Sequence, residues 1–95
     1  MKQIMTIEDS FSTKEAGVII SGVNSDFDSL DLMKIKQLIG DKVRVVGQNG
    51  HELYADVKDI AISESLVGKK NISIAFGEIE GVEKFDRGST VYSMD

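Results

Sequence analysis

Apolar and polar residues alternate with a period near two from Ile4 to Phe11. This period is typical of a β-strand with one buried face, because successive side chains of a strand point to opposite faces. The pattern predicts a strand that directs Met5, Ile7 and Phe11 towards the core.

A turn and a second strand follow directly. Residues 12–17 are turn-forming, and Gly17 can adopt a positive φ angle. The run from Val18 to Val23 is apolar and rich in β-branched residues, which predicts a strand buried on both faces. The stretch from Ile7 to Gly22 should therefore form a hairpin around which the remaining chain is organised.

The next segment is harder to interpret. Residues 24–31 are polar and acidic and predict a loop. Residues 32–39 are compatible with a helix, for which Asp28 could serve as a cap. They are also compatible with a strand, in which the apolar residues would share one face opposite two lysines. We expect a short helical turn near 29–38 followed by an extended segment.

Four further strands are expected, over residues 42–46, 52–62, 71–76 and 89–93. Asn49-Gly50 predicts a two-residue hairpin with positive φ at both positions. A bulge or kink is expected in the long return strand. Six short strands with almost no helix predict an all-β domain, a small six-stranded Greek-key-like β-barrel, because an open sheet would leave unpaired edges.

Composition narrows the possible functions. Ninety-five residues allow a single domain, 1–95. The formal net charge of -5 disfavours phosphate binding as the main task. The chain has no cysteine, so thiol catalysis and disulfides are excluded, and a cytoplasmic location is expected. No signal peptide and no membrane-spanning run is visible, so no membrane partner is expected.

The densest group of candidate metal ligands lies in the acidic loop: Asn24, Asp26, Asp28 and Asp31. Calcium prefers such oxygen clusters. However, Ser29 stands where a calcium-binding loop needs glycine, and Ile35 where it needs glutamate. His51 is the only histidine and has no visible acid or base partner. We therefore expect no metal, no cofactor and no enzymatic activity.

Three ordered motifs resemble a known family. They are the Ile-Glu-Asp-Ser-Phe-Ser of residues 7–12 with Gly17 and residues 18–22, the turn of residues 39–43, and the closing segment of residues 72–91 with Phe76-Gly77, Val82-Glu83-Lys84 and Arg87-Gly88. In this order they resemble domain II of translational GTPases such as elongation factor Tu. The resemblance implies the same six-stranded barrel, here without the GTPase, because the chain lacks a phosphate loop.

The family's barrel contacts the aminoacylated end of tRNA or the ribosome. Its hairpin turn commonly reads Gly-Arg-Gly, whereas this chain has Glu15-Ala16-Gly17. The change removes a positive charge and adds a negative one, which would repel phosphate. We therefore expect a retained scaffold and a lost tRNA site.

Our first hypothesis is a non-catalytic binding module for a protein or ribonucleoprotein partner. Phe27, exposed at the centre of the acidic loop, would be its apolar anchor. The candidate contact residues are Glu15, Asp26, Phe27, Asp28, Asp31, Asn49 and His51. If the partner is basic, such as a nuclease toxin, the protein would be a small acidic immunity-type inhibitor.

An RNA-, tRNA- or ribosome-binding accessory factor in translation is the alternative. Its candidate contacts are Lys69, Lys70, Lys84 and Arg87. Exposed aromatic residues for base stacking are scarce, and Tyr54 lies outside any basic stretch.

Overall fold

The computed structural model describes residues 2–78 and 87–94. Within them lie eight strands, which are β1 (Gln3–Thr6), β2 (Asp9–Thr13), β3 (Gly17–Val23), β4 (Lys42–Val46), β5 (Glu52–Asp56), β6 (Asp59–Glu64), β7 (Lys70–Gly77) and β8 (Thr90–Ser93). A 3₁₀ turn, Ser25–Phe27, and one helix, α1 (Leu32–Ile39), separate β3 from β4. The strands form two antiparallel sheets, which we call sheet I (order β1-β8-β4-β5) and sheet II (order β2-β3-β7-β6).

The chain was predicted to be all-β and is mostly β, but the prediction of six strands in a closed barrel is wrong. Two of the predicted strands are divided into two shorter strands. At each division the chain leaves sheet I and enters sheet II. The first divides between β1 and β2, and the second divides between β5 and β6.

Backbone hydrogen bonds explain both divisions. At the first, the N–H of Ile7 donates to the carbonyl of Ser89 beside β8 (2.7 Å), and the next N–H, of Glu8, donates to Ser21 on β3 (2.8 Å). At the second, Val57 donates to Asp41 before β4 and Lys58 donates to Ala75 on β7, each at 2.8 Å. Consecutive residues therefore bond to different sheets, and the chain turns a corner at each point.

The core lies between the two sheets. Sheet I contributes residues that include Val43, Val45 and Val91, and sheet II contributes Ile20, Ile72, Ile74 and Phe76. The inward orientation predicted for residues 72, 74 and 76 is confirmed, as is burial of Met5 and Ile7. Phe11 is 46% exposed, so its predicted core position is wrong. Its strand, β2, lies at the edge of sheet II and is exposed throughout.

Helix α1 extends over the whole segment for which a short turn and an extended continuation were expected. The Asp31 carboxylate, rather than Asp28, caps it by accepting the backbone N–H of Lys34 at 2.8 Å. Ile35 and Ile39 lie one turn apart and are both fully buried. The helix contacts β6 and β8, so it joins elements of both sheets.

Removing this cap should weaken the helix. We expect Asp31→Ala to lower the free energy of unfolding by about 0.5–2 kcal/mol, because it removes the acceptor for one N–H of the first turn. Urea denaturation followed by circular dichroism measures the change. Glu15→Ala, at an exposed turn residue, should change stability by less than about 0.5 kcal/mol. Equal losses in the two variants would contradict the capping role.

Candidate functional site

The acidic loop does not present an aromatic anchor. Phe27 is only 1% exposed and belongs to the core, so the prediction of an exposed Phe27 was wrong. The cause is local. The Asn24 side chain accepts the backbone N–H of Asp26 (2.9 Å) and donates to the carbonyl of Ile4 (2.6 Å), which fixes the 3₁₀ turn against β1. That turn directs Phe27 inwards.

The remainder of the loop is tied to the start of β7. The Asp28 carboxylate accepts the backbone N–H of Lys70 at 3.0 Å, and the Lys70 ammonium donates to the carbonyl of Leu30. Asp28 and Lys70 were assigned to different binding sites in the sequence, and the structure brings them together. Asp26 stays exposed, and the exposed Asp31 is engaged as the helix cap.

Asn49 and His51 lie in the turn between β4 and β5. Gly47 and His51 are bonded across the turn, and Gly50 donates to Gly47 at 3.0 Å. The bond between Gly47 and His51 encloses a loop of three residues, 48–50, of which only Gly50 has a positive φ (87°). The prediction of a two-residue hairpin was therefore wrong. Both side chains are exposed, and Asn49 accepts the N–H of His51.

The other candidate residues do not assemble into one site. Glu15 is exposed in the β2–β3 turn, and no hydrogen bond or ion pair within residues 2–78 and 87–94 joins it to the acidic loop or to Asn49. Lys69 and Arg87 are exposed, and Arg87 lines a cleft of about 280 Å³ together with Glu8. Lys84 lies outside the described residues.

Exposed apolar side chains appear where the sequence predicted only a loop. At the tip of the β6–β7 hairpin Leu66 is fully exposed and Val67 is 79% exposed. The Lys70–Leu30 bond places the start of α1 at the same end of the molecule, where Met33 is 70% exposed and Leu32 is also exposed. We call Leu32, Met33, Leu66 and Val67 the apolar end.

The tip that carries Leu66 and Val67 is well ordered by hydrogen bonds. Ser65 donates to the carbonyl of Lys69 (2.8 Å), Gly68 donates to that of Ser65 (3.0 Å), and Gly68 takes a φ of 82°. The sequence contains a signal for this exposed apolar pair. A Leu-Val pair occupies turn positions where polar residues and glycine usually occur, flanked by Ser65 and Gly68.

A second surface that the sequence did not reveal is the outer face of sheet I. The register places Tyr92, Arg44 and Tyr54 side by side on β8, β4 and β5. The Arg44 guanidinium lies 5.8 Å from the centroid of the Tyr92 ring and forms an ion pair with Glu52. Both tyrosines of the chain therefore lie in one row across sheet I. We call this row, together with the other outward side chains of β4 and β5, the tyrosine face.

The described residues offer no metal site. Among residues 2–78 and 87–94, no group of three or more His, Asp or Glu side chains could hold a metal ion. No helix in this part of the chain is long and apolar enough to cross a membrane. The two exposed surfaces described above are the apolar end and the tyrosine face.

No family model, no curated protein and no solved structure matches this chain. The resemblance to domain II of translational GTPases therefore depends on the ordered motifs alone.

Proposed function

We propose that this protein is a non-catalytic binding module for a protein or ribonucleoprotein partner, and that the apolar end is its contact surface. The observation that carries the proposal is the full exposure of Leu66 beside Val67 on an ordered turn. Burying apolar surface contributes about 25 cal/mol per Å². Large apolar side chains exposed at one end of a molecule favour association with a partner.

Charge indicates which partners this end favours. The chain carries a net charge of -5, and Asp26, Asp31 and Glu64 lie exposed on the loop and hairpin that flank the apolar end. Lys34 and Lys69 add local positive charge at the same end. An acidic molecule with an apolar contact attracts a basic protein, because complementary charge accelerates encounter. An immunity-type inhibitor of a basic toxin is one protein of this description.

The RNA-binding alternative has weaker support. The Lys70 ammonium donates to a backbone carbonyl of the acidic loop, so this side chain has a structural role in the fold. Lys69 remains exposed, but the whole chain is acidic and would repel a phosphate backbone.

The motif glycines that resemble those of domain II have structural roles in this chain. Gly17 has a φ of 71° and lies close to the backbone of Gly77. Gly40 has a φ of 79° and ends α1. The positive φ angles explain why glycine occupies these two positions, and no ligand is needed to explain them. Fold resemblance does not transfer function, and Glu15-Ala16 stands where the family places its arginine. The cysteine-free composition agrees with the cytoplasmic location that we propose.

Site-specific photo-crosslinking tests the contact surface. We expect a photoreactive phenylalanine analogue in place of Leu66 to crosslink one discrete partner in source cells, because this side chain would be buried in the complex. The same analogue in place of Glu15 is the matched exposed control. Crosslinks to RNA at position 66 would support the RNA-binding alternative, and equal crosslinking at both positions would overturn the proposal.

The purified partner then allows a quantitative test. The double variant Leu66→Ser with Val67→Ser should weaken binding by about tenfold or more, because it removes the apolar anchors. Its stability should change by less than about 0.5 kcal/mol, since both side chains are exposed. Unchanged affinity in a folded variant would place the contact elsewhere on the molecule.

A further inference from the structure

The tyrosine face carries its charges in two parallel stripes. On β4 the outward side chains include Lys42 and Arg44, and on β5 they include Glu52 and Asp56. Lys42 and Asp56 are directly opposite each other and form an ion pair at 3.5 Å. A positive stripe therefore lies beside a negative stripe along the same face.

This face differs in charge from the molecule as a whole. The chain carries a net charge of -5, so two copies repel each other over most approaches. Within the described residues, the strands β4 and β5 present two basic and two acidic side chains to this face, which makes it locally neutral. Two such faces can therefore meet with little local repulsion between their own side chains.

The order of the stripes also makes the face complementary to itself. We propose that the tyrosine face is a self-association surface whose partner is a second copy of this chain. A twofold axis parallel to the strands, between β4 and β5, places β4 of one copy over β5 of the other. Each positive stripe then faces a negative stripe, and the contact is isologous.

The same axis preserves the cross-strand rows. Lys42 of one copy faces Asp56 of the second copy, and Arg44 faces Tyr54. Tyr54 is 51% exposed, so its ring can lose contact with solvent in the dimer. An arginine over a tyrosine ring is a favourable contact. Tyrosine and arginine are also the residue types that dominate binding at protein interfaces. Two β-sheets can pack face to face at about 10 Å in this way.

Analytical ultracentrifugation of the purified protein up to about 1 mM tests the proposal directly. We expect a concentration-dependent dimer. Tyr54→Thr, which keeps a strand-forming residue, should weaken dimerisation by about tenfold or more. Leu66→Ser with Val67→Ser is the control and should dimerise like the wild type. A monomeric wild type, or a dimer lost only in the control, would overturn the proposal.

A charge exchange tests the twofold geometry and does not depend on Tyr54. Asp56→Lys alone places two lysines opposite each other in the dimer, and Lys42→Asp alone places two aspartates there. Each variant alone should dimerise about tenfold more weakly. An equimolar mixture should recover the dimer, because each copy then faces its opposite charge. Circular dichroism confirms folding, and a folded pair without recovery on mixing would overturn this arrangement.

Discussion

Phe27→Ala is expected to lower the free energy of unfolding by about 3–5 kcal/mol, because the ring is buried and its removal leaves a cavity. A domain of this size is stable by only about 5–15 kcal/mol, so the loss is a large share of the total. The effect should extend to the acidic loop, since Phe27 is the buried residue of its 3₁₀ turn. Chemical denaturation measures the change.

Phe11→Ala is the matched control. It removes the same side chain from an exposed strand and should cost less than about 1 kcal/mol. Limited proteolysis provides a second readout, because a loosened loop should be cut faster in the Phe27 variant alone. Equal stability losses at the two positions would show that Phe27 is not part of the core.

The strands that lie wholly within one sheet were predictable from the residue pattern, by alternation in β4 and β7 and by a run of apolar, β-branched residues in β3. β3, β4, β7 and β8 each have a continuous register with their neighbours or a local irregularity at one end. The core-facing positions of these strands include Ile20, Val43, Ile74 and Val91. A bulge or kink was predicted in the return strand, where the second corner lies, but the change of sheet was not predicted at either corner. A strand that bends from sheet I to sheet II keeps its apolar residues on the inner side throughout, so the residue pattern does not reveal that its hydrogen-bonding partners change at Glu8 and Lys58.

The candidate site was predicted less well, for a related reason. Phe27 stands between two aspartates, and the local sequence does not show that Asn24 turns the segment onto β1. The helix was ambiguous because Met33, Ile35 and Ile39 share one face of a strand, whereas Leu30, Met33 and Leu38 fall only loosely on one face of a helix. Tertiary contacts, not local propensity, decided these cases.

Gly17→Ala should be the most damaging change at a turn. The residue has a φ of 71°, where alanine costs about 1–2 kcal/mol. A Cβ at this position would lie 2.2 Å from the backbone carbonyl of Gly77, and backbone cannot move aside as a flexible side chain can. Overpacking of this kind costs about 1–3 kcal/mol more, which gives a total of about 2–5 kcal/mol in a denaturation experiment.

Gly68→Ala separates the two contributions. Gly68 has a similar φ of 82°, but no atom lies within 4 Å of the position that its Cβ would occupy. This variant should therefore lose only the conformational part, about 1–2 kcal/mol. Equal losses at Gly17 and Gly68 would mean that contact with Gly77 contributes nothing. A larger loss at Gly17 would show that the glycine of the opening hairpin is required where β3 packs against β7, whatever the protein binds.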